Sequence, residues 1–210
     1  MLGINDLWLF MLSGILLNIL PGPDSLYIIS RSAGQGFKAG SAAALGIGSG
    51  TFVHILAAAL GLSAILATSA TAFMVVKIVG ALYLISIAIS MILSRAQPTS
   101  KVAAVQPMPL RRIFRQGFLT NVLNPKVALF FLAFVPQFID PASTQKALAF
   151  IVLGLIFNLN GMIWCHLLAW SSAHASRRVK QNPRLTLWLN RLAGTLFGYF
   201  GIKLAFSAQS

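Results

Sequence analysis

The sequence predicts an all-α polytopic membrane protein of six transmembrane helices, arranged as two inverted three-helix repeats with helices 1 and 4 broken by proline. Three observations carry that prediction. First, 57% of the 210 residues are hydrophobic and only 9% charged, with a mean hydropathy of +0.81, whereas soluble domains carry about 25% charged residues. Second, six stretches are apolar over the roughly 20 residues a helix needs to cross a hydrocarbon core about 30 Å thick. Third, the first and fourth stretches contain prolines at corresponding places. So few charges exclude a soluble enzyme, and so much apolar surface excludes disorder. The lone Cys165 excludes an intramolecular disulfide.

The first span runs from about Leu7 to Ile29 and is broken at Pro21-Gly22-Pro23. The second covers about Ala39 to Leu66 and the third about Thr71 to Leu93. The fourth covers about Gly117 to Ile139, interrupted at Asn124-Pro125. The fifth covers about Ala147 to Trp170 and the sixth about Leu187 to Phe206. No Lys or Arg precedes the first span, so it lacks the positive start of a cleaved secretory signal and is expected to be retained. Trp8, Trp164, Trp170 and Trp188 fall mostly near span ends, as an aromatic belt does.

Sixteen Lys and Arg against three Asp and Glu give a net charge of +13. In a soluble protein such a balance would suggest nucleic acid; here the positions explain it. Arg31 and Lys38 lie between spans 1 and 2. Arg95, Lys101, Arg111, Arg112 and Arg115 lie between spans 3 and 4, and Arg177, Arg178, Lys180, Arg184 and Arg191 lie between spans 5 and 6. The other side has Lys146 with Asp6 and Asp140. The positive-inside rule therefore puts these three loops in the cytoplasm and both termini outside it. Solvated topology signals account for the charge without a nucleic-acid partner.

The chain reads as one transmembrane domain: repeat one at about 1–93, a cytoplasmic linker with Pro98, Pro107 and Pro109 at about 94–115, and repeat two at about 116–210. Three spans per repeat make equivalent helices antiparallel, hence inverted. The repeats echo each other in Asn18-Ile-Leu-Pro21-Gly22-Pro23-Asp24 and Asn121-Val-Leu-Asn124-Pro125-Lys126. Proline cannot donate to the carbonyl four residues back, so Pro21 and Pro23 free carbonyls between Leu17 and Ile19, and Pro125 frees that of Asn121. In lipid each such group costs several kcal/mol unless it lines a polar cavity or meets a protein partner. Paired breaks of this kind are the best sequence pointer to a transporter binding site; the plainer reading is a pair of structural kinks.

Asp24 is the only acidic residue in a span, and Lys126 lies beside the second break. A charge at the bilayer centre costs about 2.5–3.5 kcal/mol, so it normally faces a cavity or a partner. The expected substrate-binding residues are Asn18, Pro21, Gly22, Pro23, Asp24, Asn121, Asn124, Pro125 and Lys126, with Asp24 and His54 as proton-coupling candidates. Asp24 suits an ammonium or a proton; Lys126 suits a carboxylate or Asp24 itself. Asn158, Met162, Cys165 and His166 form one helical stripe, read as interhelical contact, and Gly36, Gly40, Gly46 and Gly50 read as close helix packing.

These residues give the chain a resemblance to the LysE/RhtB family of bacterial amino-acid exporters. It is carried by Pro21-Gly-Pro-Asp24 with Ser30-Arg31-Ser32, Gly36-Phe-Lys-Ala-Gly40, Lys77-Ile-Val-Gly80, Phe114-Arg-Gln-Gly117 running to Asn124-Pro125-Lys126, Pro136-Gln-Phe138 and Arg191-Leu-Ala-Gly194. The resemblance implies proton-driven export of an amino acid or similar small metabolite across a bacterial inner membrane, six helices and an optional homodimer, with no cofactor. Other classes fit less well. Ser49 and His54 are five apart, roughly 500° of helical turn, and so do not form a catalytic pair. A thiol redox carrier needs two cysteines. An exporter of a metal ion or other small solute is a closer alternative, since Asp24, His54, Cys165 and His166 are possible ligands, although they lack liganding spacing. A passive channel is the other alternative to coupled export.

Overall fold

A computed structural model describes residues 2–62, 64, 70–93, 106–174 and 183–206. Arg95, Pro98, Lys101, Arg177, Arg178 and Lys180, expected in basic loops, lie outside the described residues. The rest is helical as the hydropathy requires. In chain order come α1 (Leu7–Ile19), α2 (Pro23–Gln35), α3 (Phe37–Leu56) and α4 (Ala70–Ile92), then α5 (Leu110–Val122), α6 (Pro125–Leu129), α7 (Lys146–His174) and α8 (Pro183–Phe206). A π-helical turn, Ala57–Leu62, prolongs α3; α6 continues through a π turn, Phe130–Phe134, and a 3-10 turn, Val135–Phe138.

This is an all-α polytopic membrane protein. Among the described residues, two helices are long and apolar enough to cross a membrane: Phe37–Leu62 and Lys146–His174. Two bent pairs also qualify, α1 with α2 at 53° and α5 with α6 and its continuation at 45°. These bends fall at the two predicted proline breaks. α4 and α8, with 23 and 24 residues, occupy the expected third and sixth windows. At ~1.5 Å per residue either exceeds the hydrocarbon thickness. Large apolar side chains point outward along the bundle, Leu60 at 71%, Leu82 at 63% and Leu159 at 63% exposed, where lipid is their natural solvent.

Helix boundaries differ from expectation at both broken spans and at α8, which begins at Pro183, before the anticipated Leu187, so that Arg184 and Arg191, expected in a basic loop, are helical. α5 begins at Leu110, before the anticipated Gly117, so Arg111, Arg112 and Arg115 are helical. Pro109 caps it, with no backbone N–H to lose. α2 runs on to Gln35, and one residue, Gly36, turns the chain into α3. Gly36 has φ +82° and ψ −179°, a conformation essentially restricted to glycine. It therefore makes a corner and does not pack against a helix, as its four-residue spacing from Gly40 had suggested; no heavy atom lies near where its Cβ would be.

Its neighbours in that series do pack. A Cβ on Gly46 would collide with the Phe114 carbonyl, one on Gly50 would lie 2.8 Å from the Phe118 carbonyl, and one on Gly117 would lie 2.6 Å from the Ala43 carbonyl. α3 and α5 thus touch backbone to backbone. Gly201 does the same for α8 against α4, 3.2 Å from the Ala81 carbonyl. Aromatic rings fill the other side of the core. Phe130 stacks on Phe157 of α7 at 4.6 Å, Phe134 meets Phe200 of α8 at 4.5 Å, and Phe138 meets Phe10 of α1 at 5.3 Å. Pairs of this kind contribute about 0.5–1.5 kcal/mol beyond burial. They hold the second half of span 4 against three other helices.

Gly36→Ala is expected to lower stability by about 1–3 kcal/mol through backbone strain alone, because the site has open space. Thermal unfolding of the purified protein in detergent measures it; an unchanged midpoint would refute the corner assignment.

Candidate functional site

The site grows out of the two breaks. At the first, Pro21 has no N–H for the Leu17 carbonyl, and the extended Gly22 carries the chain away before Pro23 opens α2. The orphaned oxygens are taken by a side chain from the other broken span: the Lys126 ammonium donates to the Leu17 carbonyl at 3.1 Å and the Leu20 carbonyl at 3.3 Å. Gly22 leaves room for it, since a Cβ there would sit 3.2 Å from Nζ.

At the second break, Asn124 caps α6 by accepting the Lys126 backbone N–H at 3.0 Å, with Pro125 at the first helical position. This fixes the Lys126 side chain at the start of a helix pointing toward span 1. The Asn121 carbonyl, deprived of a donor at Pro125, accepts from the Asn124 N–H at 2.9 Å and from His54 Nε2 at 3.0 Å. His54 therefore carries its proton on Nε2, and its ring lies parallel to that of Phe131, 6.1 Å between centroids. It arrives from α3 because Gly46 and Gly50 let α3 approach α5.

Asn121 is 2% exposed and links three elements. Its carboxamide Nδ2 donates to Asp24 Oδ2 at 2.9 Å, and its Oδ1 lies 3.3 Å from the Thr51 hydroxyl. A cavity opens beside these groups, lined by polar Asn18, Asp24, Thr51, Asn121, Lys126 and Asn158 and by apolar Leu17, Ile47, Val127, Phe157 and Met162. Its free volume is about 30 Å³, enough for a water or two. Among the described residues, Asp24 and Lys126 are the only charged ones lining it. Their partners are Asn121 and the two carbonyls respectively, and no direct ion pair joins them among the described residues. Two buried atoms here have no hydrogen-bond partner among the described residues: Asp24 Oδ1 and Asn18 Nδ2. A buried acceptor and a buried donor thus stand unpaired on residues that line the cavity.

Four of the nine predicted binding residues, Asn18, Asp24, Asn121 and Lys126, line the cavity. Gly22 and Asn124 stand one step behind, shaping Lys126. Pro21, Pro23 and Pro125 are exposed and act through the backbone they interrupt. His54 lies behind Asn121. Thr51 and Gly48 were not anticipated, and part of the α7 stripe, Asn158, Met162 and Cys165, also lines the cavity. That stripe was the available signal. His166 turns instead to α3, its Nε2 3.2 Å from the Ser41 hydroxyl and its Nδ1 2.9 Å from the Met162 carbonyl. The Ser49 hydroxyl is spent on the Leu45 carbonyl. Among the described residues, no three of His, Cys, Asp and Glu converge on a metal-sized site.

A family model described as LysE type translocator matches residues 15–208. The chain belongs to this family. It is a membrane transporter, and the resemblance carried by the Pro-Gly-Pro and Asn-Pro-Lys elements is shown over nearly its whole length. Among similar proteins, an uncharacterised membrane protein of Pseudomonas aeruginosa is 32% identical over all of this chain and 99% of its own length. The leucine efflux protein of Enterobacter sp. (strain 638) is 29% identical, and that of Salmonella typhimurium 26%, each over 97% of this chain and 96% of the relative. No solved structure matches the chain.

Replacing Asn124 by Ala removes the cap on which the Lys126 position depends. The expected loss is about 1 kcal/mol, with Asn124→Ser much closer to the parent. Unfolding midpoints in detergent check the order; Ala equal to Ser would refute the capping role.

Proposed function

We propose that this translocator exports neutral amino acids with aliphatic side chains from the cytoplasm, by alternating access in exchange for protons. The observation that carries the reading is the pairing of opposite charges across one small cavity with an apolar wall. Asp24 Oδ1, free of other partners, receives the substrate ammonium. The unpartnered Asn18 amide and the remaining N–H of Lys126 receive its carboxylate. Leu17, Ile47, Val127, Phe157 and Met162 receive the side chain. A cationic or anionic side chain would find no counter-charge, because both charges lining the cavity are used by the amino-acid backbone. The named activity of the leucine efflux relatives supports the same class.

Coupling follows from competition at Asp24. Its carboxylate holds either a proton or the substrate ammonium, so one is released as the other binds. His54 Nε2 is committed to Asn121 and serves to hold that residue in place. The two broken spans, related as inverted repeats, supply the moving parts. At the basic end α2 is tied to the start of α5: the Tyr27 hydroxyl lies 3.0 Å from Gln116 Oε1, Arg31 reaches the Gln106 carbonyl at 3.3 Å, and Gln35 donates to the Met108 carbonyl at 3.0 Å. At the opposite end, Asn5 and Gly3 pair with Phe138 and Asp140 at 2.9 and 2.7 Å. Access from the cytoplasm requires the first set to part, and release outside requires the second. The basic loops orient the first set inward, in the inner membrane of a bacterium.

The decisive experiment is efflux from proteoliposomes loaded with leucine, valine, arginine or glutamate under an imposed pH gradient. Leucine and valine should leave against their gradients and the charged pair should not. Asp24→Asn should reduce efflux about 10–100-fold, the value of a hydrogen bond to a charged group. Flux that is only downhill would make the protein a channel, and full activity in Asp24→Asn would remove the coupling assignment.

A further inference from the structure

The Leu17 and Leu20 carbonyls form an acceptor cluster of the sort that broken transmembrane helices present to inorganic coupling cations. Here the cluster is already filled. We propose that the Lys126 ammonium is a built-in monovalent cation, occupying the carbonyl site of the first break permanently, so that no free sodium or potassium ion enters it in any state of the protein.

The geometry supports this in three ways. Both contacts, 3.1 and 3.3 Å, are at hydrogen-bond distance and come from the residues whose oxygens the break exposes. The Lys126 backbone is itself fixed by the Asn124 cap at 3.0 Å, so the ammonium is presented at a set place. Gly22 has no side chain at the one position where a Cβ would press on Nζ. The arrangement also explains why Lys126 does not pair with Asp24 although both line one cavity. A lysine ammonium has three donors; two are held by the carbonyls and one remains for the cavity. The fixed charge balances Asp24 without neutralising it by contact. A tethered ion cannot be transported, so it supplies charge and structure while leaving the driving ion to another group.

The test uses the whole chain in detergent, without substrate, so its outcome is separate from that of the export assay. Lys126→Ala deletes a propylammonium-sized piece and should lower the unfolding midpoint in choline chloride. Added propylammonium chloride should raise that midpoint by about 2–4 °C, with tetramethylammonium, which has no N–H, giving no rise. The parent protein should respond to neither, and should melt identically in sodium, potassium and choline chlorides. Lys126→Met keeps the packed stem and lacks the charge; it should melt below the parent and gain nothing from propylammonium. The proposal is overturned by equal responses of Lys126→Ala to the two ammonium salts, by no response, by a sodium-dependent midpoint in the parent, or by a parent-like midpoint in Lys126→Met. Should Lys126→Ala fail to accumulate, the parent and Lys126→Met measurements decide.

Discussion

A proline-broken helix in a bilayer leaves carbonyls that water cannot reach, and each must be satisfied by protein or cost several kcal/mol. This chain has two such breaks, and each is completed from elsewhere in the fold. The first receives Lys126 from the second broken span, and the Asn121 carbonyl of the second receives His54 from α3. Neither break could stand alone in lipid. The two broken spans and α3 therefore form one interdependent unit, and the remaining polar groups are drawn to where that unit meets α7. The cavity is a by-product of satisfying backbone.

Reaching a carbonyl across two helices demands close approach, and glycine supplies it. Gly46, Gly50 and Gly117 bring the α3 and α5 backbones together; with side chains at those positions the helices would separate, and His54 and Thr51 would no longer reach Asn121. The Phe130, Phe134, Phe138 and Phe157 cluster does the complementary work, packing the far half of span 4 by bulk. One half of the broken span is thus held by absence of side chain and the other by abundance of it. The single-residue corner at Gly36 adds that α2 and α3 are joined with no slack, so movement of α2 must be felt by α3.

Much of this was legible in the sequence. The spans follow from hydropathy, and the breaks from Pro21, Pro23 and Pro125. The freed carbonyls of Leu17 and Asn121 follow from the missing N–H groups, a purely covalent fact. Their partners were not legible. The sequence offers Lys126 a carboxylate or Asp24; that it meets the Leu17 and Leu20 carbonyls instead depends on a helix-crossing geometry that one-dimensional spacing does not contain. Gly36 shared its four-residue spacing with Gly40, but spacing cannot tell a packing glycine from one needed for its φ. The early start of α5 was hidden because Arg111, Arg112 and Arg115 lower the hydropathy of a segment whose helical propensity is good. Thr51 gave no signal at all, since an isolated hydroxyl in a helix usually bonds its own backbone, as Thr51 also does with Ile47.

The size of the cavity constrains how the proposed exchange can work. About 30 Å³ accommodates water and a proton on Asp24 but not an amino acid. Binding must therefore move walls, and the walls are unequal. Lys126, Asn121 and Asp24 are cross-linked through backbone carbonyls and one another, so they resist displacement. The α7 side contributes Asn158, Met162 and Phe157, joined to the rest by packing and without a hydrogen bond to Asp24 or Lys126. Gly48 faces Met162 and Gly161 faces Asn18, so the α7 wall approaches through its smallest contacts. An apolar surface can slide at little cost, whereas a desolvated charge network cannot be broken piecemeal. In the proposed exchange α7 therefore yields to admit the side chain while the broken spans part at their ends, with Lys126, Asn121 and Asp24 staying linked at the centre. That would keep Lys126 on its two carbonyls through the proposed cycle and place side-chain selection on a part that moves.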